Sequence, residues 1–99
     1  MIPLSFDHKP RQVKEEKRIQ EAGGFVSFND GAWRVGGVLA TSRALGDYPL
    51  KDRNLVIAHP EILRFDLDHV KPKLVVLASD GLWDVLSNEN TVKFVLKNL

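Results

Sequence analysis

Residues 78–88, Ala-Ser-Asp-Gly-Leu-Trp-Asp-Val-Leu-Ser-Asn, are the most informative stretch of the sequence, because they end a predicted buried strand in an acidic turn. The strand is the run 73–78, Lys-Leu-Val-Val-Leu-Ala, whose apolar and β-branched composition is typical of a strand covered on both faces. Gly81 lets the backbone bend sharply after Asp80, so this carboxylate can leave the core and face an ion or a phosphate. A plain Asp-Gly turn between a strand and a short helix explains the same residues.

Three other motifs precede this turn in the sequence. They are a Ser-Phe-Asp-His-Lys-Pro turn at 5–10, a Glu-x-x-Arg-Ile helix at 15–19 and a Ser-Arg-Ala-Leu-Gly-Asp turn at 42–47. In this order, the four motifs resemble the metal-dependent protein serine/threonine phosphatases of the type 2C family. The resemblance runs from about Leu4 to the last residue and therefore covers nearly the whole chain.

Members of that family also carry an early Asp-Gly-His-Gly-Gly turn and a late Asp-Asn pair, which supply further ligands of a two-metal centre. Neither motif occurs in the 99 residues. The resemblance therefore implies a partial phosphatase 2C-like domain over residues 1–99. We expect little or no phosphatase activity from the isolated chain.

Local patterns in the first half of the chain predict one helix and one hairpin. A charged, exposed helix with a narrow apolar stripe is expected over 12–22, ending at Gly23-Gly24. The sequence Asn29-Asp30-Gly31 predicts a hairpin between strands at 25–28 and 32–35.

Patterns in the second half of the chain, together with the helix and the hairpin of the first half, predict an α+β fold class. A further strand is expected over 61–67, and Ser87 is expected to cap a final helix over 88–99. The resemblance implies a two-sheet antiparallel β-sandwich flanked by helices, of which this chain holds an incomplete part. Uncovered sheet edges then predict marginal stability or self-association.

Composition excludes several classes of protein. The chain is 43% hydrophobic and 27% charged, which excludes disordered and collagen-like sequences. A formal net charge of +1 does not indicate electrostatic attraction to nucleic acid or to a membrane surface. No apolar stretch reaches the roughly 20 residues of a spanning helix, and the amino end does not resemble a secretory signal. Without cysteine, a metal could be held only by oxygen or imidazole ligands.

Three aspartates are candidate metal ligands, since the hard cations Mg²⁺ and Mn²⁺ prefer carboxylate oxygens. The resemblance implies that Asp80 is a catalytic metal ligand and that Asp7 helps to hold a weaker, additional metal. Asp84 lies four residues after Asp80 and can add an oxygen to that additional site. Structural alternatives stay open. Asp80 can cap a turn, and Asp7 can form an Asx-turn before Pro10. Asp84 can be a first-turn carboxylate that favours the helix dipole.

Other polar and aromatic residues have structural interpretations. Arg43 is expected to pair with Asp47, although its planar guanidinium also suits a phosphate. Trp33 and Trp83 are predicted core aromatics. The three histidines lack metal-ligand spacing among themselves and are expected in turns or at the surface: His8, His59 and His69.

The resemblance implies hydrolysis of phosphoserine and phosphothreonine in substrate proteins by metal-activated water, with Mg²⁺ or Mn²⁺ as cofactor. It also implies an intracellular location, cytoplasmic or nuclear. Two alternatives stay open. The chain can be a catalytically silent pseudophosphatase or partner-binding fragment, or it can carry a glycosidase-like pair of Asp80 with Asp84 or Asp7. Dependence of turnover on a metal separates these three functions.

Overall fold

A computed structural model describes residues 1–99 and divides them into two compact units. The central unit comprises Asp7–Ile62, and the terminal unit comprises Met1–Phe6 together with Leu63–Leu99. The elements along the chain are α1 (Val13–Glu21), β1 (Val26–Asn29), β2 (Ala32–Val35), α2 (Tyr48–Lys51), α3 (Leu67–Val70), α4 (Asp80–Trp83) and α5 (Asn88–Lys97).

Helix α1 confirms the predicted charged helix and its stop signal. Two glutamates in its first turn and Arg18 in its last turn favour the helix dipole. Gly23 takes a left-handed φ of 86°, a conformation that suits glycine at the end of a helix. The amide of Gly24 then donates to the carbonyl of Ile19 at 2.9 Å, which closes the last turn.

Strands β1 and β2 form the predicted antiparallel hairpin and pair along all four residues of each strand. Asp30 and Gly31 make the turn with φ values of 47° and 76°. Positive φ at both residues is what a two-residue turn of type I′ requires, and it explains the Asp-Gly sequence. Arg34 supports the turn from β2, since its Nε donates to the carbonyl of Asn29 at 2.8 Å.

The central unit contains the hydrophobic core. Helix α1, the end of β2 and the segment after α2 supply its buried apolar side chains, which are Ile19, Val35, Leu55 and Val56. Partly buried apolar residues pack around these four: Ala22, Val26, Leu39, Ala44 and Leu50. The core therefore ties the helix and the hairpin to the loop that carries residues 42–47.

We expect Gly24→Ala to destabilise the protein, because Gly24 lies against this core. A Cβ at this position would clash with Cδ2 of Leu55 and lie 3.2 Å from Cγ2 of Ile19. Overpacking of this kind costs about 1–3 kcal/mol, which a urea unfolding midpoint measures. Gly81→Ala is the control, because the Cβ there meets only Oγ of Ser79, at 4.0 Å. Equal midpoints for Gly24→Ala and the unmodified protein would contradict the expected clash.

The terminal unit is built from the short helices α3 and α4 and the longer α5. The start of α5 confirms the predicted cap, since the Ser87 hydroxyl accepts a hydrogen bond from the amide of Asn90 at 3.1 Å. The helix ends at Lys97, two residues before the predicted end. No large apolar side chain of this unit is buried.

The predicted strands over 61–67 and 73–78 are wrong. Neither segment belongs to a sheet, and Leu67 begins α3 instead. A strand needs a neighbour to satisfy its amides and carbonyls, and the only sheet of this structure is the β1–β2 hairpin. The segment 73–78 is also not covered on both faces, because Leu77 is 91% exposed.

The structure is thus an incomplete α+β fold with one two-stranded antiparallel sheet and five helices. As an incomplete domain predicts, many large apolar side chains remain exposed, among them Phe25, Phe28, Val75, Phe94 and Leu99. None of the helices has both the length and the apolar character needed to cross a membrane.

Candidate functional site

Asp80 begins α4 directly after Ser79, whose backbone is extended with ψ −179°. The amide of Asp84 donates to the carbonyl of Asp80 at 2.8 Å and closes one helical turn. Trp83 folds back along this turn, and its indole Nε1 donates to the carbonyl of Ala78 at 2.7 Å. Main-chain and indole hydrogen bonds therefore fix the position of the acidic turn.

The side chains of Asp80 and Asp84 are both exposed. Residues four apart on a helical turn lie on the same side of it, so the two carboxylates share one face. The hydrogen bonds that hold this turn come from the backbone and from Trp83. Both carboxylates are therefore open to a ligand from outside the chain.

Asp7 lies in the central unit, in an irregular segment directly before the turn of residues 9–12, and this segment is held at two points. The carbonyl of Asp7 accepts a hydrogen bond from Nε2 of Gln12 at 2.7 Å. The carbonyl of His8 accepts one from the amide of Ser42 at 3.1 Å. Nε2 of His8 lies 3.1 Å from Oε2 of Glu61, which gives this histidine a surface partner. The carboxylate of Asp7 itself is exposed.

Mg²⁺ and Mn²⁺ fit the donor chemistry of the three aspartates, because carboxylates are hard oxygen ligands. However, no group of three or more His, Asp or Glu side chains in this structure is arranged to hold a metal ion. Asp80 and Asp84 belong to the terminal unit, and Asp7 belongs to the central unit. The three carboxylates are therefore ligands of the kind that Mg²⁺ and Mn²⁺ prefer.

A cluster in the central unit, here named the Glu15 hub, comprises the buried Glu15 and Ser42 and the half-buried Arg18 and Arg43. Glu15 is only 3% exposed. Its Oε1 accepts from Oγ of Ser42 at 2.7 Å and from Nε of Arg43 at 2.8 Å. Its Oε2 accepts from Nη2 of Arg43 at 3.1 Å, and Nη1 of Arg18 lies 3.1 Å from Oε1. A bidentate guanidinium and two further donors thus satisfy the buried carboxylate.

The two arginines of the hub also bind main-chain carbonyls. Nη1 of Arg43 donates to the carbonyl of His59 at 2.9 Å. Nη2 of Arg18 donates to the carbonyl of Ser42 at 2.9 Å and, at 3.4 Å, to that of Leu55. The hub therefore fastens α1 to the loop at 42–47 and to the segment that follows α2.

The hub changes the ionisation of its carboxylate. Burial raises the pKa of Glu15, but the hydrogen bonds from Arg43, Ser42 and Arg18 outweigh burial and lower this pKa from 4.5 to about 2. The hydrogen bond with Glu15 also raises the pKa of Arg43. Because the pKa of Glu15 is depressed in the folded state, its stabilisation is complete above the unfolded value and is lost as the pH falls towards 2.

The hub corrects two predictions made from the sequence. Arg43 pairs with Glu15 and not with Asp47, which has a left-handed φ of 56° before α2. Helix α1 is not exposed all along its charged run, since Glu15 is buried. The Glu-x-x-Arg-Ile motif carries the signal for this ion pair. A spacing of three residues along a helix places Glu15 beside Arg18, and the buried Ile19 follows directly. A carboxylate so close to the core needs cationic partners.

The prediction that both tryptophans are core residues is also wrong. Trp33 is 39% exposed on β2, where it packs edge-to-face on Phe28 with ring centroids 5.6 Å apart. The guanidinium of Arg11 covers Trp33 at 4.4 Å from the ring centroid. Trp83 is half-buried and uses its indole N–H on the backbone. Both rings therefore support local turns and strands at the surface.

Comparison with known proteins identifies the family. The sequence matches the family described as Protein phosphatase 2C over residues 1–99. Protein phosphatase 1L of Bos taurus is 63% identical over 98 residues, which are 99% of this chain and 27% of that protein. Probable protein phosphatase 2C 76 of Arabidopsis thaliana is 55% identical over 91 residues, which are 92% of this chain and 21% of that protein. A solved phosphatase from Toxoplasma gondii, 52% identical, superposes on 50% of this chain and 15% of its own, with a TM-score of 0.48.

The chain therefore belongs to the protein phosphatase 2C family, and the resemblance carried by the four motifs is confirmed. The chain spans about a quarter of the length of these two curated relatives.

Proposed function

We propose that this chain is part of a protein phosphatase that hydrolyses phosphoserine and phosphothreonine in other proteins. The observation that supports this proposal is the match of the family to residues 1–99, with all four motifs in order. Because the chain spans about a quarter of the length of these relatives, it acts in this proposal as a partial domain within a larger phosphatase centre. Phosphorylated proteins are its substrates, and its location is intracellular, cytoplasmic or nuclear.

Each candidate aspartate has a proposed role. Asp80 is the catalytic metal ligand, and Asp84 and Asp7 contribute oxygens to a weaker, additional site for Mg²⁺ or Mn²⁺. When bound, such a cation lowers the pKa of a coordinated water and polarises a phosphoryl oxygen. The chain has no cysteine, so it offers no thiolate for a covalent phosphoenzyme. The contribution of this chain is to present exposed carboxylates on backbone segments that hydrogen bonds hold fixed.

A hybrid protein tests this function. In it, the matched 98 residues of bovine protein phosphatase 1L are replaced by the corresponding residues of this chain. We expect metal-dependent hydrolysis of a phosphothreonine peptide, with a rate within about tenfold of the unmodified bovine protein, since core swaps that keep volume and pattern are tolerated. A folded hybrid without turnover at any Mg²⁺ or Mn²⁺ concentration would favour the pseudophosphatase alternative, and turnover of a glycoside without metal would favour the glycosidase.

The isolated 99-residue chain is expected to show little or no turnover of an aryl phosphate at millimolar Mn²⁺, because neither the Asp-Gly-His-Gly-Gly motif nor the Asp-Asn pair of the family occurs in it. The hybrid protein, assayed in the same buffer, is the reference. The exposed apolar side chains also predict self-association of the isolated chain, which size-exclusion chromatography measures. Turnover by the isolated chain comparable to that of the hybrid would contradict the partial-domain proposal.

Asp7→Ala in the hybrid protein is expected to raise the Mn²⁺ concentration needed for half-maximal rate and to lower turnover, while leaving the thermal midpoint unchanged. An exposed ligand to a weak metal site contributes to activity and not to the core. If Asp7 only orders the turn before Pro10, the same change should cost about 1 kcal/mol of stability with normal turnover per folded molecule. Asp52→Ala, at another exposed aspartate of the central unit, is the control.

A further inference from the structure

The Glu15 hub and the segment that carries Asp7 are connected by a short series of hydrogen bonds. Oε1 of Glu15 accepts from the hydroxyl of Ser42 at 2.7 Å. The amide of that serine donates to the carbonyl of His8 at 3.1 Å. Asp7 is the residue directly before His8, so two hydrogen bonds lead from the buried carboxylate to the candidate ligand.

Helix α1 supplies a second connection to the same segment. Gln12 lies at the start of this helix, three residues before Glu15, and its side-chain Nε2 donates to the carbonyl of Asp7 at 2.7 Å. The amide of Gln12 also donates to the carbonyl of Lys9 at 3.1 Å. Since Arg43 and Arg18 clamp α1 onto the loop around Ser42, both anchors of the segment belong to elements that the hub joins.

We propose that Glu15 is a positioning residue, which fixes the backbone of Asp7 and His8 through Ser42 and thereby sets the direction of the Asp7 carboxylate. The proposal rests on the proposed role of Asp7 as a metal ligand. The carboxylate of Asp7 is exposed, and the two hydrogen bonds that hold its segment are made by backbone carbonyls. The segment therefore depends on its backbone anchors, and a buried, charged hub is a rigid support for them.

Glu15→Gln in the hybrid protein tests the positioning role, with Glu21→Gln as the control because Glu21 is an exposed residue of the same helix. Gln keeps the size of the side chain, but its amide nitrogen cannot accept a hydrogen bond from Arg43. We expect hydrogen exchange at the Ser42 amide to accelerate at least about tenfold, because the Ser42–His8 hydrogen bond loses its support. The amide of Val35, which donates to the carbonyl of Leu39 within the core, is the internal reference and should change little.

Metal titrations then connect the hub to Asp7. Glu15→Gln is expected to raise the Mn²⁺ concentration for half-maximal rate about tenfold, the lower end of the loss that outer-shell partners cause, and Asp7→Ala to raise it at least as much. In the double variant the two increases should not multiply, because both act through the same carboxylate. If Glu15→Gln fails to fold, Ser42→Ala replaces it, since this change removes only the hydroxyl and leaves Glu15 paired with both arginines.

Three results would overturn the proposal. They are an unchanged exchange rate at the Ser42 amide, equal acceleration at Ser42 and Val35, and increases in Mn²⁺ requirement that multiply in the double variant. Failure of the proposed function is a different observation, namely that Asp7→Ala leaves the Mn²⁺ requirement of the hybrid unchanged. In that case the role of Glu15 towards the ligand is lost as well, while the exchange rates still decide whether the hub holds the segment.

Discussion

Asp80→Ala in the hybrid protein is expected to abolish phosphatase activity, with a fall in turnover of at least about 10²- to 10³-fold at saturating Mn²⁺. The reason is electrostatic. If Asp80 binds the catalytic cation, its loss removes the charge that holds the cation and so weakens the stabilisation of the transition state. The fold should be unaffected, because Asp80 is exposed and its turn is held by the backbone and by Trp83.

Two further variants make this result specific. Asp80→Asn keeps the shape of the side chain and removes its charge, so it should also lose most activity, with partial recovery at high Mn²⁺. Asp68→Ala is the matched control, because Asp68 is an exposed aspartate in the first turn of another short helix of the same unit. Near-normal turnover of either Asp80 variant at saturating metal, with the thermal midpoint unchanged, would show that Asp80 is not a ligand.

Local signals in the sequence predicted the elements that local interactions stabilise. Asp30-Gly31 predicted the hairpin because positive φ at two successive residues is a local requirement of its turn. Ser87 predicted the start of α5 because an N-cap is a hydrogen bond across three residues. Gly23-Gly24 predicted the end of α1 for a similar reason.

Predictions that depended on distant partners were less successful. The apolar run 73–78 has the composition of a buried strand, but a strand also requires a neighbour that composition does not identify. Glu15 and Arg43 are 28 residues apart, and the interpretation from the sequence paired Arg43 with the nearer Asp47 instead. The position of the exposed turn at Asp80 was predictable because the Asp-Gly pair that marks a turn is a local signal, although no strand precedes this turn in the structure. The role of Asp80 as a metal ligand stays a prediction.

Arg43→Met in the hybrid protein is expected to have the largest effect on stability. It removes the bidentate partner of a carboxylate that is 3% exposed. Breaking a buried ion pair costs about 3–5 kcal/mol, and we expect a loss of about 3 kcal/mol, at the lower end of that range, because Arg18 and Ser42 still donate to Glu15. Arg53→Met, at an exposed arginine of the same unit, is the control and should change the urea midpoint little.

The pH dependence of this loss distinguishes a charge effect from a packing effect. The unmodified hub stabilises the fold fully above the unfolded pKa of Glu15, 4.5, and loses this contribution as the pH falls towards about 2. Without Arg43, the folded pKa of Glu15 rises, because its strongest donor is gone while burial remains. The difference in unfolding free energy between the unmodified hybrid and Arg43→Met should therefore shrink between pH 7 and pH 3. A difference that stays constant over this range would mean that Arg43 stabilises the fold by packing and not through the charge of Glu15.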